Sequence, residues 1–137
     1  MNLIYLERQL RTGKNPEQLG GTLIGEGVCK AAYRFNNSFV VKLNAQKGYK
    51  GTAQKNPPKW IKQFGARGPR TYKAGAYIIQ EFVTPLRDYK NGWQCSDEIR
   101  QQWKVMYDNR PIGKAGSDVH EYNCGVSAKG ELVVFDW

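Results

Sequence analysis

Residues Ser117–Trp137 read SDVHEYNCGVSAKGELVVFDW. Two short apolar stretches, CGVS and ELVVF, flank Lys129-Gly130, a good turn dipeptide. The segment is therefore predicted to be a loop, DVHEYN, followed by two paired strands. Polar residues mark its edges: Asp118, Asn123 five positions on, and Asp136 thirteen beyond that. Asn and Asp are hard oxygen donors suited to Mg2+, which takes one or two protein oxygens together with substrate phosphates. An aspartate closing an apolar strand can face a cleft. The alternative is structural: Asp118 and Asn123 cap a turn and Asp136 is solvated.

Working upstream, Ser96-Asp97-Glu98 opens a helix whose Ile99, Trp103 and Met106 share one face. A serine cap and acidic residues beside the positive end of the helix dipole are strong start signals. Before it, AYIIQEFV (residues 76–83) reads as a buried strand ended by Thr84-Pro85. PPKWIKQF (57–64) reads as a short helix with loop-like flanks. Residues 21–44 read as three antiparallel strands, with Gly25 and Gly27 at the first turn and Asn36-Asn37 at the second. Residues 2–11 alternate Leu3, Ile4, Leu6 and Leu10 with charges, as a short amphipathic helix does. The class expected from this order is mixed α+β.

The chain of 137 residues is long enough for one domain with its own core, and 40% apolar content is that of a globular protein. No apolar run approaches the roughly 18 residues needed to cross a bilayer, and MNLIYLERQLRTG lacks the pattern of a signal peptide. Cys29, Cys95 and Cys124 are widely spaced without a CxxC pair, which argues against a disulfide framework or a zinc cluster and suits a reducing cytoplasm. Net charge is +9, and residues 44–80 contain no acid while carrying Lys47, Lys50, Lys55, Lys59, Lys62, Arg67, Arg70 and Lys73. That window is either a solvated face or a field that draws phosphate groups. Tyr49, Trp60, Phe64 and Tyr72 within it are either core or bases' stacking partners.

Two further features carry chemistry. Gly25-Glu26-Gly27 sits between strands, where backbone amides can approach phosphates or the glycines can simply serve turn geometry. Lys42 lies in the apolar run FVVKL, either snorkelling to an edge or projecting as a fixed cation. Taken together, IGEGVCKAAYRFNNSFVVKLN, YIIQEFV and DVHEYNCGVSAKGELVVFDW resemble the protein kinase-like superfamily over nearly the whole chain. The matched parts are the glycine-rich loop and third-strand lysine, the fifth strand and hinge, and the catalytic loop with its metal hairpin. The D-x-H-x-x-N form is closest to aminoglycoside and choline kinases and to phage-encoded serine/threonine kinases.

The resemblance implies an N-lobe-like antiparallel sheet over residues 1–83 and a much reduced C-lobe over 84–137: one main helix, the catalytic loop and a β-hairpin. It implies ATP and Mg2+ as ligands and a hydroxyl, on a protein serine or threonine, as acceptor. Gly25 and Gly27 would fold over the phosphates, Lys42 would pair with the α- and β-phosphates, and Glu81 and Val83 would offer backbone groups to adenine beside Gln80. Asp118 would orient the acceptor hydroxyl, His120 would approach the transferred phosphate, and Asn123 and Asp136 would hold Mg2+. The chain departs from the family at Lys30 (third loop glycine), at Gly116-Ser117 (usually His-Arg), and in having no acid between Lys42 and Glu81. Ending one residue after Asp136, it is expected to lack an activation segment and a peptide-docking lobe. Two other functions remain open: a pseudokinase that holds a host protein partner, and a basic nucleic-acid binder.

Overall fold

A computed structural model of the chain describes residues 2–26, 31–36, 39–43, 57–113 and 118–135. The chain divides into two compact units, Met1–Gln54 with Arg70–Phe82, and Lys55–Pro69 with Val83–Trp137.

In the first unit, α1 (Leu3–Arg11) starts where the Asn2 side chain accepts a hydrogen bond from the Ile4 N–H at 2.8 Å. The strands are β1 (Thr22–Glu26), β2 (Ala31–Phe35), β3 (Phe39–Leu43), β4 (Thr71–Ala74) and β5 (Tyr77–Glu81), in the antiparallel order β1-β2-β3-β5-β4. The β2–β3 connection leaves β2 through Asn36 at φ 56°, a left-handed conformation that asparagine tolerates better than most side chains. One face of the sheet packs on α1. Leu6 and Leu10, one helical turn apart, meet Phe35, Val41, Ala74 and Ile79. Arg11 bonds Glu7 and also donates to the Lys73 carbonyl at 3.0 Å, fastening the end of α1 to β4.

In the second unit, α2 (Asp97–Asp108) begins at Ser96, whose hydroxyl accepts from the Ile99 N–H at 3.2 Å. A 3-10 helix, Lys59–Phe64, precedes it in the chain and ends at Gly65 with φ 77°. Gln102 of α2 donates to the Phe64 carbonyl at 2.8 Å. Short strands β6 (Thr84–Pro85), β7 (Arg87–Asp88), β8 (Gly92–Trp93), β9 (Cys124–Val126) and β10 (Leu132–Val134) complete the unit. β10, β9 and β6 form one antiparallel sheet; β7 and β8 form a two-stranded ribbon. The core joins Ile61, Ala66, Leu86, Trp103, Met106, Val119, Cys124, Leu132 and Val134. Arg67 grips Glu131 through two nitrogens, at 3.1 and 3.2 Å, and its backbone pairs alongside β10.

The class is thus mixed α+β, with one multi-strand sheet and few helices among the described residues. The helix at 97–108, the three strands within 21–44 and the hairpin turning near Gly130 lie where the sequence predicts them. Three local expectations are corrected. Gly25 pairs with Ala32 inside β1 rather than forming a turn, because the register shifts by one residue between Leu23 and Gly25. Such a bulge absorbs an extra residue and sharpens strand twist. β5 stops at Glu81, short of Val83. Thr84-Pro85, read as a terminator, instead pairs with β9. Proline is tolerated there because β6 is an edge strand with no inner ladder to supply. Finally, Thr71–Ala74 is a strand within the basic window, which the sequence left unassigned. No helix among the described residues is long and apolar enough to cross a membrane.

Gly125 sets the distance between β9 and β6. A Cβ there would lie 2.6 Å from the Thr84 carbonyl oxygen and 2.9 Å from Val83 Cγ2. The nearest obstacle is backbone, so relief requires moving a strand. Gly125→Ala is expected to destabilise the fold by about 1–3 kcal/mol through overpacking, read as a lower midpoint in urea unfolding.

Candidate functional site

The loop Asp118–Asn123 is held from inside. Val119 is buried, and its carbonyl accepts from the Trp103 indole N–H at 2.8 Å and from the Cys124 thiol at 3.4 Å. The Asp118 side chain is 71% exposed and that of His120 40%. The loop closes on itself through Asn123 N–H to His120 O at 2.9 Å, and the Phe135 N–H beyond β10 binds Asn123 O at 2.9 Å.

The polar side chains are set by this frame. His120 Nε2 lies 3.3 Å from Asp118 Oδ1, while His120 Nδ1 accepts the Tyr122 N–H at 3.2 Å. Tyr122 stacks on Tyr89 with ring centroids 4.3 Å apart, and Arg87 pairs with Glu121 at 3.5 Å. Asn123 is only 6% exposed, and its amide nitrogen donates to the Asp118 carbonyl at 3.4 Å. The Asn123 side-chain oxygen accepts no hydrogen bond from a described residue. A buried carbonyl oxygen of this kind fits the role of a hard-metal ligand. Asp136, its partner in the sequence reading, lies outside the described residues. Among the described residues, no three His, Cys, Asp or Glu gather into a metal cluster.

The remaining candidates belong to the first unit, apart from Val83 in the second. Lys42 sits on the middle strand, opposite Ala32 of β2 and Ile78 of β5, and is half-buried. Strand alternation puts it on the face away from Val41 and α1. Glu81 ends β5; its N–H is engaged by the Arg70 carbonyl at 3.0 Å, and its carboxylate accepts from the Arg70 N–H at 2.9 Å. Gln80 is buried and donates to Thr71 Oγ1 at 3.3 Å. Val83 is buried between β5 and β6 along the chain. Gly25 occupies the β1 bulge, and Gly27 lies outside the described residues, as do Lys47, Lys50 and Lys55 of the basic window.

The sequence pointed to Asp118, His120 and Asn123, and the fold gathers those three in one loop. It did not point to Trp103, Tyr122 or Cys124 as the parts that fix the loop. A buried tryptophan needs a partner for its indole N–H, and that requirement was the available signal. Burial pushes the Cys124 thiol up to about 12, with the charges of Asp118 and Glu121 adding to the effect. Burial also raises Cys95.

Trp103→Phe keeps a ring in the core but removes the donor to Val119. A buried carbonyl losing its main partner costs about 1–3 kcal/mol, expected as reduced urea stability with faster amide exchange at Val119 and His120. The Cys124 thiol gives a pH signature. Its proton is held more tightly in the folded than in the unfolded chain, so unfolding releases it once pH exceeds the ordinary thiol value of 9.0. Stability from this group is full below that pH and is lost as pH rises through about 12. Unfolding free energy measured from pH 8 to pH 11 should therefore fall more steeply for the native chain than for Cys124→Ala, by up to about 1.4 kcal/mol per pH unit. Equal slopes would contradict the burial of the thiol.

No family model, curated protein or solved structure matches this chain.

Proposed function

We propose that the chain is an ATP- and Mg2+-dependent phosphotransferase of the protein kinase kind, with a protein serine or threonine hydroxyl as acceptor. The observation that carries this reading is the loop before the β9–β10 hairpin. It presents an exposed carboxylate, Asp118, five residues before a buried asparagine whose side-chain oxygen accepts no bond from a described residue. Aspartate and asparagine in this order and spacing are what a kinase catalytic loop uses for its base and its metal ligand. The first unit adds support: its strand order sets β3, bearing Lys42, between β2 and β5. A lysine on the third strand is where kinases hold the cation for the α- and β-phosphates. The finer architecture, an N-lobe-like sheet with a reduced C-lobe, is part of this proposal.

In this reading the acceptor oxygen forms a bond to the γ-phosphorus, the bond to ADP breaks, and the hydroxyl proton passes to Asp118. Lys42 counters the negative charge of the α- and β-phosphates. Gly25 and Gly27, the latter outside the described residues, would let the backbone approach the phosphates, and Glu81 and Val83 would offer backbone groups to the adenine. Asn123, with Asp136, would hold Mg2+, which when bound neutralises charge on the phosphates.

The test combines binding with transfer. ATP should raise the melting temperature only when Mg2+ is present, because a ligand bound to the native state stabilises it. γ-Labelled ATP should label the protein itself or an added casein acceptor. Asp118→Ala should cut transfer at least about 100-fold, the scale of general-base assistance, while keeping the ATP-dependent shift. Transfer that survives in Asp118→Ala would remove the base assignment. No ATP shift, together with salt-sensitive binding of single-stranded DNA, would move the function to the nucleic-acid reading.

A further inference from the structure

We infer that the outward face of α1 is a docking surface for an anionic lipid bilayer, a contact that does not depend on the phosphotransfer reading. Two stripes run along this helix of nine residues. Leu3, Leu6 and Leu10 recur at helical spacing and pack toward the sheet. Ile4, Arg8 and Arg11 recur at matching spacing on the opposite side, with Tyr5 beside them. A helix that has buried one apolar stripe has no folding use for apolar side chains on its other face. Yet Ile4 is 65% exposed and Tyr5 49%, in consecutive positions of the first turn. Tyr72 extends the same surface. It is 40% exposed and precedes Lys73, whose carbonyl accepts from Arg11. Strand alternation puts its ring on the side of β4 that Ala74 turns toward α1.

The charges around these side chains decide the partner. Among residues 2–14 the cations are Arg8, Arg11 and Lys14, all exposed, and the one acid is Glu7. Glu7 is already engaged by Arg11 at 3.0 Å. Arg8 and Lys14 form no ion pair with a described residue. Glu17, the next acid along the chain, accepts from the Tyr33 hydroxyl at 3.1 Å. The face is therefore apolar in its first turn and cationic from Arg8 onward. Each part has a use at a bilayer. A guanidinium meets lipid phosphate with its fork of donors. Tyrosine settles at headgroup depth with its ring inward, and isoleucine enters the acyl boundary. Single-stranded nucleic acid would stack on Tyr5 and pair with Arg8, but it would leave Ile4 in water. Leu6 and Leu10 hold α1 along the sheet, so the outward stripe is presented side-on over about 13 Å. The chain's net charge of +9 adds long-range attraction to a negative surface.

Co-sedimentation of the full chain with vesicles tests this surface. Vesicles of phosphatidylcholine with roughly one-third phosphatidylserine should carry the protein down, pure phosphatidylcholine should not, and added salt should weaken the binding. Arg8→Gln should lower the partition coefficient about fivefold, the share of one cation near such a surface. Ile4→Ser combined with Tyr5→Ser leaves the charge unchanged and should lower it at least about tenfold through lost apolar contact. Ile4→Trp should raise it, because indole favours the interface. Both positions are exposed, so the variants should keep the wild-type urea midpoint; if the double variant unfolds, Arg8→Gln and Ile4→Trp decide. Absence of sedimentation with the anionic vesicles would overturn the proposal. So would equal binding by wild type and the folded double variant, which would put the contact on other basic residues. A wild-type chain that ignores vesicles but binds polyuridylic acid, and loses that binding in Arg8→Gln, would replace lipid with nucleic acid as the partner of this face.

Discussion

The hydrogen bond from the Trp103 indole to the Val119 carbonyl organises the second unit. Its acceptor belongs to an irregular loop, where no ladder or helix would otherwise satisfy a buried carbonyl. Its donor is the centre of α2, wedged among Trp93 and Tyr107 with ring centroids 5.4 and 5.1 Å away. Val119 is buried between an exposed Asp118 and a half-exposed His120, and the bond to its carbonyl ties this stretch of loop to α2. Arg100 lies over Trp93 at 4.2 Å, and its stacking helps keep that ring in its place beside Trp103.

The first unit solves a different problem with the same economy. Its middle strand must be apolar on the side that meets α1, and Val41 and Ile79 fill that side. Period-two alternation puts Lys42 on the other face of β3, beside buried Val40 and Ile78, so it can sit in the apolar run FVVKL without entering the α1 core. The Arg11 bond to Lys73 O holds α1 along the far edge strand, β4, which would otherwise present unpaired backbone groups. The lysine's strand is supported by neighbours on both sides, and a rigid strand holds a side chain more accurately than a loop does.

What could be read in the sequence divides along physical lines. The start of α2 was legible because Ser96, Asp97 and Glu98 act within one helical turn, and the turn near Gly130 because glycine supplies its φ of 84°. The spacing from Asp118 to Asn123 was legible as well, since both lie in one short loop. β4 was not: Thr71, Tyr72 and Lys73 are exposed, and they are a strand only through pairing with Ile78, Ile79 and Gln80. Thr84-Pro85 was misread because proline's local meaning, termination, was outweighed by an edge position that asks for no N–H. Trp103 and Val119 stand 16 residues apart, and nothing in local pattern links an indole to that particular carbonyl.

The hydrogen bonds around the loop sharpen what is left for chemistry. Val119 O takes Trp103 and Cys124, His120 O takes Asn123, Asn123 O takes Phe135, Asp118 O takes the Asn123 amide, and His120 Nδ1 takes Tyr122. Among the side-chain oxygens of the loop, that of Asn123 belongs to a buried residue, and it accepts nothing from the described residues. A buried acceptor without a donor costs about 1–3 kcal/mol. Leucine or methionine there would avoid that cost, so asparagine makes physical sense when something outside these bonds meets its oxygen. Its amide nitrogen is already committed to the Asp118 backbone, which leaves the oxygen as the atom that the Mg2+ of the proposed reaction would meet.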